Sequence, residues 1–141
     1  MGQQKIAIIG GGAAGFFAAL SAKEHWPTAQ VCIFEKSNKL LSKVKISGGG
    51  RCNVTHATPD VAELSKAYPR GGAQLRKAFY QFSARDTIAW FEHRGVPLKT
   101  FPDGCIFPLA NDSQVIIDCF LKNQVGLYWL AKMHLLDMRI I

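Results

Sequence analysis

The chain has 141 residues, of which 48% are hydrophobic and 19% charged, a globular composition that excludes a disordered protein. Its 17 basic and 10 acidic side chains give a net charge of +7, which favours an anionic partner: nucleic acid, a membrane surface or a phosphorylated cofactor. The 4 cysteines form no C-x-x-C pair, so we expect no metal site and a reduced, cytoplasmic protein.

An apolar run from Ile6 to Leu20 begins the chain. It is too short to span a bilayer, and the single Lys5 before it is a poor start for a signal peptide. The pattern instead predicts a strand at Ile6–Ile9, a glycine turn, a helix at Ala13–Lys23 and a second strand at Val31–Glu35. This order is a βαβ unit of an α/β protein.

Three glycines at the turn have the G-x-G-x-x-G spacing of dinucleotide-binding folds: Gly10, Gly12 and Gly15. In such folds the first forms the turn, the second admits a pyrophosphate, and the third lets helix and strand pack closely. Ala13 and Ala14 begin the helix, whose unpaired N–H groups and dipole attract phosphate. Glu35 ends the second strand near the ~20-residue offset at which a carboxylate accepts from ribose hydroxyls. Its charge disfavours a 2′-phosphate, so the pattern predicts FAD or NAD rather than NADP.

A basic stretch follows the second strand and ends in three consecutive glycines, Gly48 to Gly50. Such glycines can bring backbone amides against an anion, while Arg51 can donate two hydrogen bonds and Asn53 suits the amide-like edge of a flavin. A flexible surface linker is the alternative interpretation. The predicted cofactor-binding residues of this region are Lys36, Lys43, Ser47, Gly48, Gly49, Gly50, Arg51, Cys52 and Asn53.

Four segments occur in the order seen in a family of bacterial flavoproteins. They are IAIIGGGAAGFFAAL, IFEK, KVKISGGGRCNVTH and FPDGCIFPLANDSQVIIDCFL. The chain resembles NAD(P)/FAD-dependent oxidoreductases of the bile-acid-reductase-like or aminoacetone-oxidase-like group from Lys5 to Lys122. The most specific segment is S-G-G-G-R-C-N, from Ser47 to Asn53.

The resemblance implies a Rossmann-like FAD domain that is interrupted by a substrate domain. It implies that Gly10, Gly12 and Gly15 hold the FAD pyrophosphate and that Glu35 holds the adenosine ribose. Ser47 to Asn53 would lie beside the ribityl chain and the isoalloxazine, with glycines there because larger side chains would collide with FAD. The implied chemistry is hydride transfer from a nicotinamide nucleotide to the flavin and then to an organic acceptor.

The sequence pattern in the middle of the chain predicts a helix, a hairpin and a second helix. Ser83 and Asp86 have the capping-box spacing, and Gly95 is the expected stop. The segment VPLKTFPDGCIFP predicts a β-hairpin that turns at Asp103-Gly104, and a helix is expected from about Asp112 with Cys119 on its apolar face.

Two positions in this region depart from the family pattern, since Cys105 stands where an arginine is usual and His56 where asparagine is common.

The resemblance is lost after Lys122, where the sequence reads NQVGLYWLAKMHLLDMRII. Its apolar residues show little of the helical or the strand periodicity. We therefore predict residues 1–122 as the N-terminal part of a FAD domain and residues 123–141 as a divergent tail of unknown structure. The hypothesis is that the chain is a truncated or frame-shifted member of the family. Such a chain is expected to bind FAD weakly or not at all and not to turn over, and the sequence does not identify the catalytic residues.

Two other function classes compete with the flavoprotein. An NAD-binding Rossmann module without flavin shares the glycine spacing but has no use for S-G-G-G-R-C-N at this place. A basic nucleic-acid-binding protein would use the net charge of +7, but it needs aromatic and basic residues interleaved on one surface. The aromatics Phe16, Phe34 and Trp90 instead sit inside apolar runs, which is typical of a core.

Overall fold

A computed structural model describes residues 4–123 and 127–131. The strands are β1 (Lys5–Ile9), β2 (Gln30–Glu35), β3 (Thr55–His56), β4 (Leu98–Thr100), β5 (Cys105–Pro108) and β6 (Leu127–Ala131). The helices are α1 (Ala13–His25), α2 (Ser42–Ile46), α3 (Val61–Lys66), α4 (Gly72–Gln81), α5 (Ala84–Glu92) and α6 (Gln114–Lys122). The chain divides into two compact units, residues 1–45 with 120–141, and residues 46–119.

The first unit contains a parallel sheet with the strand order β1-β2-β6. Ile6 pairs with Val31, and Val31 pairs with Leu127, so β2 is the central strand of the three. This order is one half of the doubly wound sheet of dinucleotide-binding proteins, in which strands 3, 2 and 1 lie side by side. The predicted βαβ unit is therefore confirmed.

Helix α1 packs through a stripe of buried residues, Phe16, Ala19 and Leu20. The ring of Phe16 lies 6.0 Å from that of Phe120 on α6. At the other end of α1, the Lys23 ammonium donates to the carbonyl oxygens of Pro27 at 2.7 Å and Ala29 at 2.9 Å. These two bonds fasten the connection to β2 and place a positive charge at the helix C-terminus, where the dipole favours it.

Strand β6 lies in the segment that the sequence predicted as a tail of unknown structure. It runs parallel to β2, with Glu35 opposite Ala131. The sequence LYWLA is a continuous apolar run without alternation, a pattern that occurs in strands of parallel sheets but does not by itself mark a strand. The rest of the predicted tail, residues 124–126 and 132–141, lies outside the described residues.

The second unit contains an antiparallel sheet with the order β3-β5-β4. The predicted hairpin is confirmed: β4 and β5 pair, and Gly104 in the turn between them has a φ of +82°. The capping box of α5 is also confirmed, since the Asp86 carboxylate accepts from the backbone N–H of Ser83 at 2.7 Å. Helix α6 begins at Gln114, close to the expected start, and Cys119 is buried as predicted.

Candidate cofactor site

The turn between β1 and α1 is a glycine bend that the backbone of the first unit holds in place. Gly10 has a φ of +103°, a conformation that favours glycine, and its N–H donates to the Phe34 carbonyl oxygen at 2.7 Å. The Gly11 carbonyl oxygen accepts from Leu41 at 2.8 Å. A Cβ added to buried Gly15 would overlap the carbonyl oxygen of Gly10, so the third glycine is required for helix and strand to approach.

The N-terminus of α1 is open to a ligand. Gly12 is the N-cap residue with extended backbone, no side chain caps the helix, and its first turn contains no acidic residue. Ala13 and Ala14 are exposed, and the first bond of the helix runs from the N–H of Phe16 to Gly12 at 3.0 Å. A Cβ added to Gly12 would meet nothing within 4 Å. Free N–H groups, a positive helix end and open space are what a pyrophosphate needs, so the residues fit that group.

Glu35 is fixed beside this helix end. One carboxylate oxygen accepts from the N–H of Gly11 at 2.7 Å, and the other accepts from the N–H of Ser37 at 2.9 Å. These two backbone bonds, first that of Gly11, lower the pKa of the Glu35 carboxyl group, and the charge of Lys36 adds a smaller effect. The carboxylate is therefore ionised at neutral pH, and each oxygen retains a lone pair for a ribose hydroxyl.

Replacing Glu35 by glutamine is expected to weaken the dependence of stability on pH in acid. Because the folded pKa of Glu35 lies below its unfolded value of about 4.3, the ionised group stabilises the fold above about pH 4.3. That contribution is lost as the pH falls through the folded pKa. Urea unfolding between pH 7 and pH 3 measures it, and Glu35→Gln should lose less stability than wild type over this range.

The matched control for this prediction is Ser37→Ala, which keeps both backbone N–H donors of Glu35. It should retain most of the wild-type loss of stability in acid. Parallel pH curves for wild type and Glu35→Gln would contradict the assigned role of these two bonds.

The two predicted lysines lie near the same site in sequence but are solvent-exposed. Lys36 follows Glu35 directly, and Lys43 is in the short helix α2. The structure holds the Glu35 carboxylate on Gly11, between Gly10 and Gly12, and packs Gly15 against Gly10, whereas it shows for the lysines only exposed charge. Their contact with a cofactor remains a prediction.

In the second unit, Ser47 to Asn53 form a loop, here called the glycine loop, with left-handed backbone. The φ angles are +55° at Gly48, +67° at Gly49, +86° at Gly50 and +62° at Cys52. Side chains rarely adopt such angles, so the run of glycines follows from the backbone path itself.

At Gly48 the protein itself leaves no room for a side chain. A Cβ there would lie 2.9 Å from both the backbone N of Asn53 and the ring of Phe107. The expectation that glycines are present to avoid the cofactor is therefore incomplete, because at Gly48 the close neighbours belong to the protein. At Gly49 a Cβ would meet nothing within 4 Å, so room for a ligand remains there.

Backbone bonds close the glycine loop. The N–H of Cys52 donates to Ser47 at 2.9 Å, and the N–H of Ser113 donates to Gly50 at 2.8 Å. The Cys52 thiol is buried, and this burial raises its pKa, so it is a neutral packing group rather than a thiolate nucleophile. Any contact of Cys52 with a cofactor would use its backbone.

Arg51 points its guanidinium at aromatic rings. Its Nε donates to the Gly48 carbonyl oxygen at 3.2 Å, and its Cζ lies 4.3 Å from the ring centre of Phe107 and 5.8 Å from that of Phe101. The sequence predicted a donor to the cofactor at Arg51 but missed its aromatic support. The available signal was the apolar segment after the predicted hairpin turn, Ile106 to Pro108.

The two departures from the family pattern lie opposite each other on paired strands, His56 on β3 and Cys105 on β5. The ring of His56 bonds through Nε2 to the Asp103 carbonyl oxygen at 3.0 Å, which ties it to the hairpin turn. Partial desolvation raises the pKa of the Cys105 thiol, and its bond to the Asp103 carboxylate raises it further, while the Asn53 side chain also bonds to the thiol. Cys105 thus contacts the last residue of the glycine loop.

A family model described as "HI0933-like protein Rossmann domain" matches residues 4–130 of this chain. The chain belongs to the HI0933-like family. A curated relative, the 3-dehydro-bile acid delta(4,6)-reductase of Clostridium scindens, is 31% identical over 114 residues, which are 81% of this chain and 27% of the reductase. The chain therefore spans about a quarter of the length of that relative.

Among solved structures, THI4 of Thermovibrio ammonificans matches with a TM-score of 0.51 and 16% sequence identity. The match covers 92% of this chain and 38% of the THI4 chain, and at this identity it shows the fold alone.

Membership of the HI0933-like family confirms the predicted group of oxidoreductases, the Rossmann-type fold and FAD as the cofactor. The family match continues past Lys122 to residue 130 and so includes most of β6. Within residues 4–123 and 127–131, no helix has the length and apolar character to cross a membrane. The same residues contain no group of three His, Cys, Asp or Glu side chains suited to a metal ion.

Proposed function

We propose that this protein is a FAD-dependent reductase that moves hydride between a nicotinamide nucleotide and an organic substrate, and that the described residues hold the cofactor. The observation that carries the proposal is the ionised Glu35, fixed by the Gly11 N–H at 2.7 Å beside the uncapped start of α1. FAD supplies the hydride chemistry when bound. The protein supplies binding, orientation and charge.

In this proposal, different residues of the first unit bind the pyrophosphate and the ribose at the adenosine end of the cofactor. The amides at the start of α1, from Gly12 to Ala14, bind the pyrophosphate charge. Glu35 accepts hydrogen bonds from the ribose hydroxyls and repels a 2′-phosphate. Lys36 and Lys43 add exposed positive charge that favours the approach of an anion.

The glycine loop serves the flavin end in this proposal. Gly49 leaves open space for a ligand. The Nε of Arg51 donates to the Gly48 carbonyl oxygen, so Arg51 would bind a ligand through its two terminal amino groups. Asn53 is exposed, and its side-chain amide has two N–H donors and a carbonyl acceptor, of which the bond to the Cys105 thiol uses one. A plain NAD-binding module needs no second loop of this kind, which is why the flavoprotein is favoured over that alternative.

The reaction of the whole protein is inferred from its relative. The relative is a reductase by name, and this chain spans 27% of it, so the acceptor and the nicotinamide nucleotide are proposals for the whole protein. We place the protein in the cytoplasm, because all of its cysteines, Cys32, Cys52, Cys105 and Cys119, are free thiols.

An FAD titration of the 141-residue chain tests the proposal, with quenching of flavin fluorescence as the signal. We expect weak, saturable FAD binding that an equal concentration of NAD does not displace, and no steady-state NAD(P)H oxidation by these residues alone. Displacement by NAD would favour the NAD-binding module. A folded chain that does not bind FAD would overturn the proposal for this chain.

A further inference from the structure

Strand β5 directs two side chains of the same face toward the glycine loop. Cys105 and Phe107 are two residues apart, and side chains with this spacing lie on one face of a strand. Cys105 bonds to the side chain of Asn53, and Phe107 lies under the guanidinium of Arg51. The strand therefore contacts both polar residues that the proposed function assigns to the flavin end.

Phe107 contacts the glycine loop at two points. Its ring centre is 4.3 Å from Cζ of Arg51, and its Cε1 is 2.9 Å from where a Gly48 Cβ would stand. Phe107 is only 5% exposed, so the guanidinium is stacked on a ring that is itself held in the core. Phe101 packs edge-on against Phe107 at 5.3 Å and fixes the angle of the ring.

We infer that Phe107 is a positioning residue of the FAD site. It holds the Gly48 backbone and the Arg51 side chain together, so that the terminal amino groups of Arg51 face a ligand in one orientation. Without the ring, Arg51 would retain its charge and its bond to Gly48 but lose the surface that orders it. This inference rests on the proposed function for its ligand, whereas the ordering of the loop is a property of the protein itself.

The first test compares Phe107→Leu with Phe107→Tyr by two measurements. FAD affinity should fall about tenfold in Phe107→Leu, the scale of a lost desolvated cation–π contact, and stay within about twofold of wild type in Phe107→Tyr. Limited trypsin digestion reports the loop without FAD, because trypsin must extract Arg51 from its ring to cleave after it. Cleavage after Arg51, identified by mass, should be about tenfold faster in Phe107→Leu and unchanged in Phe107→Tyr.

Trp90→Leu is the matched control, since it removes another buried ring under a guanidinium, that of Arg94 at 3.8 Å. It should lower thermal stability but leave FAD affinity and cleavage after Arg51 as in wild type. If Trp90→Leu accelerates that cleavage as much as Phe107→Leu does, the effect is general loosening and the inference is overturned.

A measurement on wild type covers the case in which Phe107→Leu does not fold. The side-chain protons of Arg51 should be shifted upfield in the NMR spectrum by the ring of Phe107, and values typical of an unstructured arginine would overturn the inference. Wild type that binds no FAD, yet shows the shifted Arg51 and the expected digestion pattern, would refute the proposed ligand and not the ordering role of Phe107.

Discussion

Replacing Gly15 by alanine is expected to destabilise the protein, although alanine is the better helix former. Moving from glycine to alanine inside a helix gains about 1 kcal/mol of helix propensity. At Gly15 the new Cβ would overlap the carbonyl oxygen of Gly10, whose N–H is bonded to Phe34 at 2.7 Å. Because both partners are backbone, the overlap is relieved only by moving α1 from β1, and overpacking of this kind costs about 1–3 kcal/mol or more. We therefore expect a net loss of up to about 2 kcal/mol in urea unfolding.

The control for Gly15→Ala is Ala18→Gly at an exposed position of the same helix. It should lose about 1 kcal/mol through propensity alone. If Gly15→Ala were more stable than wild type, helix and strand would not be in the close contact that the third glycine of the fingerprint allows.

Replacing Gly12 by alanine is expected to have the opposite profile, a small effect on the fold and a large one on the cofactor. The backbone of Gly12, with φ −93° and ψ −174°, suits any residue, and a Cβ there would meet nothing within 4 Å. The change costs about 0.5–1 kcal/mol because alanine is a poor N-cap residue. The new methyl group stands in the open space at the start of α1, where the phosphates must approach the amides. We expect FAD affinity to fall by about 10- to 100-fold.

The FAD titration measures this loss, and urea unfolding of the same preparation shows that the chain is folded. Unchanged FAD affinity in Gly12→Ala would contradict binding of the pyrophosphate at this helix end. A loss of affinity together with a loss of stability as large as that of Gly15→Ala would show a folding defect instead.

Local patterns predicted those parts of the fold that depend on residues close together in the chain. The glycine spacing, the apolar run before it and Glu35 at the next strand end were sufficient for the βαβ unit. The capping box at Ser83 and Asp86 and the turn at Asp103-Gly104 are equally local, and the structure confirms both.

Features that depend on contacts between distant segments were missed. The segment LYWLA, which forms β6 beside β2, is an apolar run without alternation, so periodicity gave no signal. The spacing marked Glu35 as a ribose ligand but gave no sign of its direct bond to the Gly11 N–H, and no spacing relates Arg51 to the ring of Phe107. For the glycine loop, the sequence predicted that glycines are needed, but the left-handed backbone supplies the reason.

In the proposed function, the start of α1 and Glu35 hold the adenosine and pyrophosphate part of FAD. A residue-resolved NMR titration of the 141-residue chain with FAD is the test, because Gly11, Gly12, Ala13 and Ala14 each have a backbone amide that reports on its own position. We expect these amides, with that of Ser37 beside the Glu35 carboxylate, to shift the most and to saturate together. Saturable shifts located elsewhere, with these amides unmoved, would contradict it.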